Sequence, residues 1–133
     1  MFSLDSSTTI DFLRKPSRDL VNRIAVARDE GLIAISSIVL FELSYGAERQ
    51  VHPTHMERLQ LFLEGDVMVL EFDAEDALAA GRLRADLERG GFGIGPFDTL
   101  IAAQALRRGF TLVTANIREF DRVKGLKVEN WRT

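Results

Sequence analysis

Short apolar runs rich in β-branched residues alternate along most of the chain with longer stretches in which apolar residues recur every three or four positions. Residues 2–5, Phe-Ser-Leu-Asp, read as a first strand whose last residue is acidic, and Ser6 and Ser7 offer capping hydroxyls to a helix carrying Ile10, Phe12 and Leu13. Pro16-Ser17 interrupts, and Leu20, Ile24 and Ala27 mark a second helix that Gly31 stops. A second strand is expected over 32–35. Ser36 or Ser37 can cap a third helix, in which Ile38, Val39 and Leu43 are apolar. A helix over 56–63, a strand over 67–70 and a long helix from Asp73 to about Glu88, with Ala77, Leu78, Leu83 and Leu87 apolar, come next. Pro96 suits a first helical turn, the helix runs from Phe97 to Arg108, and Gly109 closes it. Thr111 to Thr114 reads as an inner strand and residues 128–131 as a short edge strand, with Trp131 anchoring the terminus by packing.

Strands and helices in alternation indicate an α/β sandwich, three layers thick, around a mostly parallel central sheet of about five strands. The 133 residues are expected to form one domain, since no linker, repeat or low-complexity tract divides them. The glycine-rich stretch over 90–95 follows a helix and lacks both the P-loop Lys-Ser/Thr and the GxGxxG spacing, so it reads as a flexible bend.

Against that frame the acids stand out. Asp98 lies in the first turn of its helix, and the positions three, four and seven residues on are Ile101, Ala102 and Ala105, so it faces the buried side. Taken alone, Asp98 is better read as complementing the helix dipole, and Asp5 as turn chemistry. Glu42 is less ordinary. Its neighbours at three and four residues are Ile38, Val39, Tyr45 and Gly46, leaving no polar stripe for it. A charge buried without a partner costs on the order of several kcal/mol, so such a glutamate needs pairing, protonation or a metal. Glu119 follows the strand 111–114, with Thr114 and Asn116 between. In parallel sheets, binding sites lie beyond the carboxyl ends of the strands, where strand order reverses. Asp5, Glu42, Asp98 and Glu119 are therefore expected to gather at one sheet edge.

Cysteine is absent, which excludes disulfides, thiolate metal sites and cysteine nucleophiles and suits a reducing, cytoplasmic setting. The N-terminus passes straight into an apolar-acidic segment and no run reaches eighteen apolar residues, so neither export nor a membrane span is expected. A net charge of −3 argues against holding nucleic acid by bulk electrostatics alone. Most of the basic residues from Arg107 onward are expected on a solvated surface, as are Arg82, Arg84 and Arg89, some of which could contact phosphate. His52 and His55 lack a third ligand at matching spacing, and a loop leading into a helix accounts for them.

Like charges held together repel, so the gathered acids must be partly protonated or neutralised by a cation. With oxygen ligands only, that cation should be hard, Mg²⁺ with Mn²⁺ as substitute. The chemistry that suits such a centre is hydrolysis of a phosphodiester.

Five segments in order, LDSSTTIDFL, SSIVLFELSYGAE, IGPFDTLIAA, LVTANIREF and RVKGLKVENW, resemble the PIN-domain family, specifically its VapC/FitB-type ribonuclease toxins of bacterial toxin–antitoxin systems. The resemblance implies a PIN-like fold and a Mg²⁺-dependent endoribonuclease acting on RNA. It also implies a homodimer and inhibition by a cognate antitoxin whose tail occupies the groove. The family's metal-binding and catalytic carboxylates fall on Asp5, Glu42, Asp98 and Glu119, and its supporting polar positions on Ser7, Thr114 and Asn116. The chain departs from the commonest pattern at Ser6-Ser7, where the family often has Thr-Asn, and at Ala115, in place of the first Asn of a frequent TNN. The missing amides would be orienting groups around the carboxylates, and Ser7 replaces part of that contact if its shorter hydroxyl reaches.

Two other readings fit part of the pattern. A catalytically weakened PIN-fold binding module would keep the groove without cutting RNA. A receiver-type phosphoacceptor would also cluster acids around Mg²⁺, but it wants a lysine just beyond a later strand, where Asn116 and Arg118 stand.

Overall fold

The computed structural model describes residues 1–132. Among them, strands β1 (Phe2–Leu4), β2 (Ile33–Ser36), β3 (Met68–Leu70), β4 (Thr111–Val113) and β5 (Val128–Glu129) form a single sheet in the order β3-β2-β1-β4-β5. Every pairing is parallel, so the expectation of a mostly parallel sheet is exceeded. Parallel strands need crossovers, and the chain supplies them as α1 (Ser6–Arg14), α2 (Arg18–Asp29), α3 (Ser37–Arg49), α4 (Thr54–Glu64), α5 (Ala74–Arg89), α6 (Pro96–Arg108) and the single turn α7 (Ile117–Phe120). Helices on both faces explain why the central strands are buried on both sides: Leu4, Ile33, Ile35, Leu112 and Val113 are all buried, as are the small Ser3 and Ser36. The result is the three-layer α/β architecture.

Strand order changes direction between β1 and β4, the crevice at which a doubly wound sheet binds its ligand. The same order separates the molecule from receiver-type domains, which follow 2-1-3-4-5. Register fixes what meets at that edge. Leu4 lies beside Val113, so Asp5 and Thr114 emerge next to each other, and the Asp5 N–H donates to Val113 O at 3.0 Å.

Several element ends differ from the sequence reading. Asp5, rather than Ser6 or Ser7, caps α1, its carboxylate accepting from the Thr8 N–H at 2.8 Å. A carboxylate competes well for that role because it meets the positive end of the helix dipole. Ser36 is the residue that caps α3. Helix α4 begins two residues early, at Thr54, taking His55 into its first turn. In α5 the inward stripe is Asp76, Ala80, Leu83 and Leu87, while Ala77 is exposed and Leu78 is 66% exposed. The helix is turned by about one residue from the face its apolar positions suggested, because Asp76 is neutralised where it is buried. Gly109, at φ 70, ends α6 in the left-handed conformation that glycine adopts without a Cβ penalty. Trp131 anchors the end of the chain as expected, 2% exposed and edge-on to Phe2 with ring centroids 4.9 Å apart. Among the described residues, no helix is long and apolar enough to cross a membrane.

Candidate active site

Asp5 sits at the end of β1, 4% exposed, and its carboxylate is tied down by its own helix. Besides the Thr8 N–H, Ser7 Oγ donates toward both oxygens at 3.1 and 3.2 Å, so the shorter hydroxyl does reach. Burial pushes the Asp5 carboxyl up, and donors from Thr114, Thr8 and Ser7 pull the other way. Thr114, wholly buried at the end of β4, also accepts the Asn116 N–H at 2.9 Å.

Glu42 is half-buried on α3, and its partner is the Ser6 hydroxyl, 36 positions away in sequence. Glu119 is carried by α7. Its Oε1 accepts the Gly95 N–H at 3.1 Å, and Asn116 Nδ2 donates to Oε2. Asn116 therefore supports Glu119, and Ser7 and Thr114 support Asp5. Ser6 and the Gly95 N–H escaped the sequence reading. Ser6 could have been suspected from its place beside Asp5, whereas a backbone N–H carries no sequence signal.

Asp98 projects from the first turn of α6 and is half-buried. Its carboxyl is pushed up to about 7, first by burial, then by the Glu119 charge and hydrogen bond, then by the charges of Asp5 and Glu42. Glu119, Asp5 and Glu42 therefore all act on Asp98, at the sheet edge beyond the carboxyl ends of β1 and β4. None of the groups acting most strongly on Asp98 is a cation.

Among the described residues, no three His, Asp or Glu side chains are already drawn together closely enough to enclose an ion. The donor set is nonetheless all oxygen, which suits a hard divalent cation and does not suit a thiolate- or imidazole-seeking one. His52 is engaged at the start of α4, where its Nδ1 accepts from the Thr54 N–H at 3.2 Å.

A second set of acids behaves in the opposite way. Asp76 is fully buried, yet Arg107 Nε lies 2.8 Å from Oδ1, Arg108 donates to Oδ2 at 2.9 Å, and Gln104 Nε2 donates to Oδ2 at 2.9 Å. Asp73 and Asp76 also form a reciprocal capping box at the start of α5. Burial alone would raise the Asp76 carboxyl. Arg108, the Asp73 N–H, Gln104 and Arg107 together hold it well below the ordinary carboxylate range. Arg107 and Arg108 are thus structural, which corrects the expectation that they belong to a solvated surface.

A model of the PIN domain matches residues 3–126. The chain belongs to the PIN-domain family. Among its PIN-domain relatives, the tRNA(fMet)-specific endonuclease VapC of Shigella flexneri is 41% identical over 133 residues, covering 98% of this chain and 97% of its own. The protein of that name from Salmonella typhimurium is 38% identical with the same coverage. In three dimensions the chain is similar to VapBC2 of Rickettsia felis, crystallised with a DNA fragment from its promoter. The TM-score is 0.91 at 34% identity, over 98% of both chains. As a PIN domain of the VapC type, the chain carries the fold that its five sequence segments resembled.

Proposed function

We propose that this PIN domain is a Mg²⁺-dependent endoribonuclease, accepting Mn²⁺ as a substitute, and the toxin of a cytoplasmic toxin–antitoxin pair. The observation that carries the reading is that Asp5 after β1, Asp98 in the first turn of α6, Glu119 on the Gly95 N–H and Glu42 on α3 converge at the strand-order switch, near enough for the other three to push the Asp98 carboxyl up. A strongly perturbed acid among other acids at a strand-order switch point is what a site for cation-assisted phosphodiester hydrolysis requires. The names of the VapC relatives support ribonuclease activity in this chain.

Asp5, Glu42, Asp98 and Glu119 would hold the ion, which when bound supplies positive charge against the phosphoryl oxygens and makes a neighbouring water more acidic. The chain's own task is orientation. Ser7 and the Thr8 N–H fix the Asp5 carboxylate, Ser6 fixes Glu42, and Asn116 with the Gly95 N–H fixes Glu119. One of these carboxylates, held ionised beside the ion, would receive a proton from the attacking water. The water oxygen would bond to phosphorus, its proton would pass to a carboxylate of the cluster, and the bond from phosphorus to the leaving ribose oxygen would break, that oxygen taking up a proton from solvent.

The VapBC complexes among the similar structures support a cognate antitoxin partner. In this reading the antitoxin's tail occupies the groove beside the acids and the toxin works as a homodimer. The test uses protein freed of any antitoxin. It should cut RNA, with initiator tRNA the first substrate to try, in Mg²⁺ or Mn²⁺ and not in EDTA. Asp5→Asn and Asp98→Asn should each lower the rate by about a thousandfold or more with the circular dichroism spectrum unchanged. Cleavage that survives both substitutions would remove the site from consideration.

A further inference from the structure

The acidic pocket has a difficulty with the substrate proposed for it. RNA brings a negative charge with every nucleotide, and a single dication does not offset four carboxylates. Affinity must come from elsewhere on a chain whose net charge is −3. A groove of about 670 Å³ runs between α5, α6 and the segment after α7, with Leu83, Leu87 and Ala103 among the residues that line it. Arg82, Arg122 and Lys124 also line it, and among the described residues none of the three has a carboxylate within salt-bridge distance.

The other charges around the groove are already matched. Arg107 is taken up by Asp76, Asp73 and Glu75, and Asp86 is paired with Arg89. Three unmatched cations are left around an apolar floor. The groove also adjoins the acidic pocket through one loop stitched at both ends: Arg122 donates to Gly93 O at 3.0 Å, and the Gly95 N–H donates to Glu119 at 3.1 Å. Phe92, 60% exposed, lines the groove on that same loop. Its ring rests so near Gly90 that a Cβ there would meet it at 3.3 Å.

We infer that this groove is the path of the RNA strand leading to the cut bond, with backbone phosphates on Arg82, Arg122 and Lys124 and an unstacked base against Phe92. The inference rests on the ribonuclease reading for its choice of substrate. Charge complementarity selects a polyanion, and an exposed aromatic ring beside a cationic rim selects a single strand whose bases are free to stack. Because stacking and phosphate contacts are tolerant of base identity, the groove supplies affinity and leaves the choice of cleavage site to the pocket.

The test is a binding measurement in EDTA, where RNA stays whole. Fluorescence anisotropy follows a labelled single-stranded RNA of roughly a dozen nucleotides at several salt concentrations. The Arg82→Gln/Lys124→Gln variant should bind roughly tenfold more weakly at moderate salt. The slope of log affinity against log salt should fall by about 1.4, at ~0.7 per lost phosphate contact on a single strand. Phe92→Leu should weaken binding a few-fold and leave the slope alone. With Mn²⁺ present, the double variant should cut a dinucleotide too short to reach the groove as fast as the unaltered chain.

Unchanged affinity and slope in the double variant overturn the inference, and the same result with an altered sedimentation coefficient assigns the groove to a protein partner instead. If the unaltered chain cuts no RNA with either metal yet shows groove-dependent binding, the catalytic reading fails and the RNA path stands.

Discussion

Helix α6 carries a buried acid problem at each end, and the two ends solve it in opposite ways. At its N-terminus, Asp98 meets Glu119, Asp5 and Glu42, and its carboxyl is pushed up to about 7. At its C-terminus, Arg107 and Arg108, with Gln104 one turn back, meet the fully buried Asp76, whose carboxyl is held down. The dipole of α6 agrees with both, favouring the negative charge at its start and the positive charges at its end. Burial is therefore not what distinguishes the two aspartates, because the more buried one has the lower pKa. What distinguishes them is the sign of the company. The Asp76 cluster is neutralised and reads as architecture, clasping α5 to α6; the Asp98 cluster gathers like charges with no cation among its strongest neighbours, which is what the proposed cation site requires.

The sharpest way to break that contrast is to neutralise each aspartate in turn. Asp76→Asn removes the buried carboxylate from a network whose two guanidinium groups keep Asp73 and Glu75 and some contact with solvent, and should cost roughly 2 kcal/mol or more. The urea midpoint should fall accordingly, while cleavage per folded molecule stays as it was. Asp98→Asn should do the reverse in the absence of metal at pH 8, where a like-charge contact disappears: the melting temperature should rise by roughly 3 °C. Two destabilised variants would mean that both clusters are structural.

That division was only half visible in the chain itself. The sheet was legible because buried parallel strands are short apolar runs, and α5 and α6 because Asp73, Pro96 and Gly109 are strong boundary residues. Glu42 was legible as an acid without a polar stripe, and Asp98 because its neighbours at three, four and seven residues are apolar. Asp76 was not, since a search for apolar periodicity passes over a stripe of Asp76, Ala80, Leu83 and Leu87 and settles on Ala77 and Leu78 instead. Its partners lie some thirty positions downstream on another helix. The same distance in sequence hid the bond from Ser6 to Glu42, and α7 has four residues, too few for any periodicity to register. Side-chain neutralisation across elements is a property of the assembled fold.

Acidity gives a smaller effect that separates the two ends by sign. Asp98 has a folded-state pKa of about 7, above its ordinary 3.8, so the folded chain binds the extra proton between those values. Stability therefore falls as pH rises through that window and stays low above it. Asp76 is depressed, so its contribution is complete above 3.8 and is lost as pH falls toward its folded value. Denaturation midpoints measured in EDTA across this range should pass through a maximum between the two limbs. Asp98→Asn should flatten the upper limb and Asp76→Asn the lower one. A midpoint that climbs steadily to pH 8 in the unaltered protein contradicts the crowding of carboxylates in the pocket.

The smallest expected effect tests whether hydrogen bonds mean the same thing at both ends. Ser6 donates to Glu42 much as Gln104 donates to Asp76, but Glu42 is half-buried and lacks an arginine, so its hydroxyl partner orients a group that has yet to meet its counter-charge. Removing that hydroxyl with Ser6→Ala should change the melting temperature little and weaken Mn²⁺ binding about tenfold, the usual cost of losing a group that steers a ligand. Ser6→Thr, which keeps the hydroxyl, should restore it. Removing the amide with Gln104→Ala should act the other way round, lowering stability through the orphaned Asp76 oxygen and leaving Mn²⁺ affinity alone. Calorimetric titration and thermal melts on the three variants separate the outcomes. A Ser6→Ala variant that loses stability and keeps its ion affinity would make the pocket a second clasp, and the difference between the two ends of α6 would then be one of charge without being one of purpose.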